Sequence, residues 1–159
     1  MNYHYSLHGH AVVLAAPPGR ATTHAGSKHK PPAARSPAED AGTRQAWGTT
    51  FAGDAHTSQW YCIPCPIPFS APTAAGLHLA ALEILVDVEG AACIDRIQVR
   101  NNRHDDLLTD SNLEVTQNYL RPFTTPLNIG GAFLIYLHAH FGADSRINFR
   151  GSNITLWVA

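Results

Sequence analysis

The chain reads as one all-β domain, an antiparallel β-sandwich or jelly roll of about seven or eight short strands with a long disordered loop. Three observations predict this. Apolar residues recur at every second position in several short segments, Pro and Gly clusters separate those segments, and no stretch sustains a convincing helical period. A chain of 159 residues is long enough for one domain with a real core, spanning 1–159, and short for two.

The elements follow in order. Residues 3–14, Tyr-His-Tyr-Ser-Leu-His-Gly-His-Ala-Val-Val-Leu, read as one extended segment. Residues 15–45 are rich in Ala, Pro, Thr, Gly and Ser, hold Pro17-Pro18, Pro31-Pro32 and Pro37, and contain both lysines, Lys28 and Lys30. That stretch lacks apolar periodicity and reads as a disordered loop or insertion. Trp47 to Phe51 reads as a short strand, and His56 to Ile67 as an extended segment that Pro64, Pro66 and Pro68 end, so that this part lies at an edge or leaves the sheet. Residues 77–88 are ambiguous. Their first half favours helix by its Leu, Ala and Glu, whereas Leu82, Ile84, Val86 and Val88 alternate as a strand. Glu89-Gly90 turns the chain into Cys93–Arg100, where Ile97 and Val99 alternate with Arg96, Gln98 and Arg100, so the two segments read as a hairpin. Residues 101–106 form a polar loop, residues 113–120 alternate weakly, and Pro122 and Pro126 bracket a connection. Gly131 to Phe141 and Asn153 to Val158 close the chain as two further strands.

Composition narrows the function classes. Hydrophobic residues make up 45% and charged residues 14%, with a formal net charge of −1. A wholly disordered chain is excluded, and there is no electrostatic case for nucleic acid or an acidic membrane. The longest apolar runs fall far below the roughly 18 residues needed to span a bilayer. The first residues lack the basic start and apolar stretch of a secretory signal, which makes a cytoplasmic location the expectation. Three cysteines, Cys62, Cys65 and Cys93, are an odd number without a disulfide-scaffold spacing. The partner classes left are a protein or a second copy of the chain.

Two constellations invite chemistry. Cys62-Ile-Pro-Cys65 has the C-x-x-C spacing of redox and zinc motifs. In an extended segment rising about 3.3 Å per residue, however, positions i and i+3 lie roughly 10 Å apart and face opposite sides. A disulfide needs Cα atoms within about 7 Å, and no second C-x-x-C completes a zinc site. The pair reads as ordinary small apolar residues. His8-Gly-His10 and His138-Ala-His140 are both H-x-H pairs in segments read as strands, so each pair shares one face. Were the two strands neighbours, four imidazoles would converge on a Zn, Cu or Fe ion, as in a cupin-like site. Against this, both pairs sit opposite the apolar face, where polar residues are expected anyway. No G-x-S-x-G elbow and no Gly-rich phosphate loop followed by Lys occurs. Trp47, Trp60 and Trp157 suit either a core or a sugar-stacking surface.

The order Trp47-Gly-Thr-Thr-Phe51, a short turn, then Trp60-Tyr61-x-Ile63-Pro64-x-Pro66-Ile67-Pro68 resembles a family of uncharacterised bacterial single-domain β proteins, domain of unknown function 6623. His8-Gly9-His10-Ala11-Val12-Val13 and Ile94-Asp-Arg-Ile-Gln-Val99 are similar to that pattern too. The resemblance implies a β-sandwich and carries no activity. The expectation is therefore a non-enzymatic binding or assembly module without a cofactor. Two readings compete with it: a metal-binding protein or metalloenzyme using His8, His10, His138 and His140, and a carbohydrate-binding module.

Overall fold

Period-two alternation becomes two antiparallel sheets in a computed structural model that describes residues 2–15, 42–67, 76–103 and 105–158. The strands are β1 (Asn2–His8), β2 (Val13–Ala15), β3 (Thr43–Gln45), β4 (Gly48–Ala52), β5 (Thr57–Cys65) and β6 (Leu77–Glu89). They continue with β7 (Cys93–Asn101), β8 (Asp106–Val115), β9 (Tyr119–Asn128), β10 (Phe133–Phe141) and β11 (Arg146–Val158). The first sheet runs β3-β4-β11-β6-β9, with β1 also paired to β11. The second runs β2-β5-β10-β7-β8. Among the described residues no helix is long and apolar enough to cross a membrane.

The two sheets pack through their alternating apolar faces. Leu79, Leu82, Ile84 and Val86 of β6 and Ile147, Phe149, Ile154 and Leu156 of β11 meet Ile94, Ile97 and Val99 of β7 and the inward residues Phe133 to Phe141 of β10. Polar partners of each strand, among them His138 and His140, stand on the outer faces, as a sandwich requires.

Several expectations change, among them the hairpin of residues 77–88 with 93–100. β6 pairs with β9 and β11 in the first sheet and β7 with β8 and β10 in the second, so the turn at Glu89-Gly90 carries the chain between sheets. Eleven strands are present among the described residues rather than seven or eight. The additions are the short β2 and β3 and the longer β8 and β9, which together are the four end strands of the two sheet orders. Residues 3–14 are not one strand: a 3-10 turn at Gly9–Ala11 carries the chain from β1 in the first sheet to β2 in the second. The loop expected at 15–45 gives up Ala15 to β2 and Thr43–Gln45 to β3, and residues 16–41 lie outside the described residues. Pro122 and Pro126 lie within β9, where an edge position leaves their missing N–H groups without consequence. Residues 77–89 are a single strand, whose inward set Leu77, Leu79, Leu82, Ile84, Val86 skips one position. Register shifts against β9 and β11 around Ala80 and Ala81 explain that skip.

β1 and β4 lie on the same side of β11, β4 opposite Arg146–Phe149 and β1 opposite Gly151–Trp157. At their junction two glycines press on one carbonyl. A Cβ at Gly9 or at Gly48 would lie 2.0 Å from the Phe149 carbonyl oxygen. The obstacle is backbone and cannot rotate aside, so Gly48→Ala is expected to destabilise by about 1–3 kcal/mol or more. Urea unfolding checks this, and an unchanged midpoint would contradict the close approach.

Candidate metal centre

The outer face of the second sheet gathers the chemistry-bearing residues. On β10, His138 and His140 point outward because Leu137, Ala139 and Phe141 point in. Across the ladder on β5, His138 faces Trp60 and His140 faces Ser58. On β7, His138 pairs with Arg96, while Ala139 pairs with Ile94. Asp95 is therefore the extra residue of a β-bulge, with no Cα partner on β10. The bulge lets Asp95 and Arg96 both escape the core between buried Ile94 and Ile97. It aims the carboxylate between the two imidazoles.

The result is a tight network. His138 Nδ1 lies 2.6 Å from Asp95 Oδ1, and His140 Nε2 lies 2.8 Å from Asp95 Oδ2. Ser58 Oγ lies 2.6 Å from His140 Nδ1. One proton arrangement satisfies every contact: Ser58 donates to His140 Nδ1, and both imidazoles donate an N–H to the carboxylate. The Trp60 ring packs 4.7 Å from the His138 ring, centroid to centroid, and restricts its rotation. Burial pushes the Asp95 carboxyl up, but hydrogen bonds and charge from His138 and His140 outweigh it and hold the group below its usual range.

Two imidazole nitrogens and a carboxylate oxygen, all within 4.8 Å of one another, form a donor set suited to a divalent transition metal. An ion held by bonds of roughly 2.0–2.2 Å would replace the two hydrogen bonds to Asp95, with each imidazole carrying its N–H on the other ring nitrogen. A hydroxyl both donates and accepts, so Ser58 also supports the other His140 tautomer, in which Nε2 is free to bind metal and Nδ1–H donates outward.

Of the four histidines read as ligands, the structure brings together His138 and His140 and separates them from His8 and His10. β1 pairs with β11 in the first sheet, whereas β10 belongs to the second, so the condition for four converging imidazoles is not met. His10 does not lie in a strand at all. It sits in the 3-10 turn, with Nε2 2.7 Å from the Gln45 carbonyl oxygen, while His8 Nδ1 accepts from the His10 backbone N–H. Local backbone contacts account for this pair. The carboxylate that completes the second pair, Asp95, is the residue that sequence reasoning missed. Its only signal was the three-residue gap between Ile94 and Ile97 in a segment otherwise alternating by two.

The cysteines behave as small buried residues. Cys62 and Cys65 are both buried and unbridged. Burial raises the Cys62 thiol to about 11 and raises Cys65 further, with a contribution from Cys62. Such thiols are poor nucleophiles and poor metal ligands at neutral pH. In the loop at 101–106, Asp105 accepts from Asn101 and Asp106 pairs with Arg100, so both carboxylates serve the turn, while His104 lies outside the described residues.

No family model matches the chain, and neither does any curated protein.

Proposed function

We propose that this domain is a non-enzymatic binding module that takes up a divalent transition-metal ion, such as Zn, Cu or Fe, through Asp95, His138 and His140. The reading rests on one observation: a β-bulge presents a carboxylate to two imidazoles held one strand away. Bulges recur where a strand must re-aim a side chain, and this one is at the centre of the donor cluster. Ser58 and Trp60 act as the outer support that orients the imidazoles.

A binding or assembly role is favoured over catalysis by where the cluster sits. His140 is about half exposed, and neither of two clefts formed around Asp54, Glu89 and Arg146 contains any of the three residues. Enzymes concentrate their chemistry in concave sites that exclude water. An ion on an open sheet face instead keeps coordination positions for water or for a ligand from a partner.

Elemental analysis of protein purified without a histidine tag, loaded with zinc and dialysed, tests the proposal. One equivalent is expected in the wild type and in His8→Ala, and background metal in His138→Ala. Background metal in the wild type, or equal loading of His138→Ala, would overturn it.

A further inference from the structure

We infer a second site, independent of the metal centre: a groove for a neutral oligosaccharide on the first sheet, at the end where β3, β4, β6 and β11 meet. A cleft of about 880 Å³ opens there, within the usual size range of small-ligand sites. One side is Trp47. It occupies the two-residue turn between Gln45 of β3 and Gly48 of β4, and it remains 45% exposed. A tight hairpin turn is a rigid mount, so the indole offers a fixed apolar plate at small entropic cost.

The polar side of the cleft is pre-arranged. Asn148 is buried, accepts from Thr50 Oγ1 at 2.8 Å and donates through Nδ2 to Glu89 Oε1 at 2.8 Å. Both ends of that amide are engaged, so its role is to fix the Glu89 carboxylate and leave Oε2 as an acceptor. Arg146 is the Cα partner of Glu89 across the ladder, lines the same cleft and makes no ion pair among the described residues. A fixed acceptor beside a guanidinium donor matches vicinal hydroxyls, because each sugar hydroxyl both donates and accepts. The C–H face of the same ring then lies against Trp47. Trp47 lines the same cleft as the Glu89 and Arg146 pair, and an apolar plate together with a donor–acceptor pair is the division of labour that a pyranose needs.

Charge and length select among saccharides. Among the described lining residues, Asp54 and Glu89 offset Arg146, which leaves no cationic surplus there to recruit an acidic ligand. A second cleft of about 660 Å³ shares Ala52, Gly53, Asp54, Glu89 and Arg146 with the first and is also lined by Asp144 and Ser145. The groove thus continues beyond the residues around Trp47. Where the two clefts meet, the Gly53 backbone is packed onto the buried Phe141 ring, and an added Cβ would meet a ring carbon at 2.3 Å.

The test is an array of neutral and acidic oligosaccharides probed with the full chain, followed by isothermal titration of the best neutral hit. Binding is expected to weaken about tenfold in Trp47→Ala, since an aromatic stack contributes on the order of a tenfold change in affinity. Arg146→Gln is expected to weaken it as well, whereas Trp157→Ala, on another part of the sheet, leaves it unchanged. Chelation of metal also leaves it unchanged, which separates this site from the centre at Asp95. No neutral hit, hits confined to acidic glycans, or a hit indifferent to Trp47→Ala would each overturn the inference.

Discussion

Phe149→Ala is expected to remove about 3–5 kcal/mol of stability, the range for truncating a fully buried aromatic. Phe149 has no exposed surface and sits in a cluster that joins the two sheets. Its ring centroid lies 5.7 Å from that of Phe51 on β4 and 5.6 Å from that of Tyr61 on β5, and Phe51 and Tyr61 are 4.4 Å apart. Removing the central ring leaves a cavity whose walls belong to different sheets and cannot collapse without moving whole strands. The backbone there is equally constrained, since the Phe149 carbonyl is the atom on which Gly9 and Gly48 press. Against a typical total of about 5–15 kcal/mol, such a loss is enough to populate unfolded chain at physiological temperature. Urea unfolding followed by tryptophan fluorescence reads the effect. A loss below about 1 kcal/mol would mean that the cluster does not anchor the sandwich. Phe149→Leu, which keeps most of the volume, is expected to lose much less.

What the sequence disclosed and what it hid share one physical cause. Alternation by two is legible only where a strand has one dry face and carries no bulge residue of its own. β10 meets both conditions, and its inward set of Phe133, Ile135, Leu137, Ala139 and Phe141 was readable directly. β8 and β9 do not. As the outermost strands of their sheets they are wet along much of both faces, so their patterns are faint, and the prolines of β9 read as breaks. The bulges hid more. Near Ala80 and Ala81 a skipped position produced a helix-like spacing in β6. At Asp95 the same device turned a residue outward that simple parity leaves unassigned. The histidine pairs show the complementary limit. Parity correctly put His138 and His140 on one face, but whether β1 and β10 are neighbours is a matter of topology, which residue spacing does not encode.

Asp95→Asn is expected to lower metal affinity more than about 100-fold, beyond the 10–100-fold cost of losing an outer-shell partner. The amide keeps the shape of the carboxylate but brings no charge, so two imidazoles are left to hold a divalent ion alone. The same substitution has a signature in the metal-free protein. Because the folded-state pKa of Asp95 is held below its usual range of about 4, the charged carboxylate favours the folded state at every pH above that range. That contribution fades as pH falls through the depressed folded value, where the proton binds in both states. Wild type and Asp95→Asn should therefore differ in urea midpoint at pH 7, and the gap should close in strong acid rather than widen. Metal release on acidification follows from a different equilibrium, the competition of protons for the same donor atoms. Chelated protein isolates the first effect, and zinc titration measures the second. A gap in chelated protein that is unchanged down to strong acid would show that the amide alters packing instead of charge. Zinc affinity unchanged by Asp95→Asn would remove the carboxylate from the donor set.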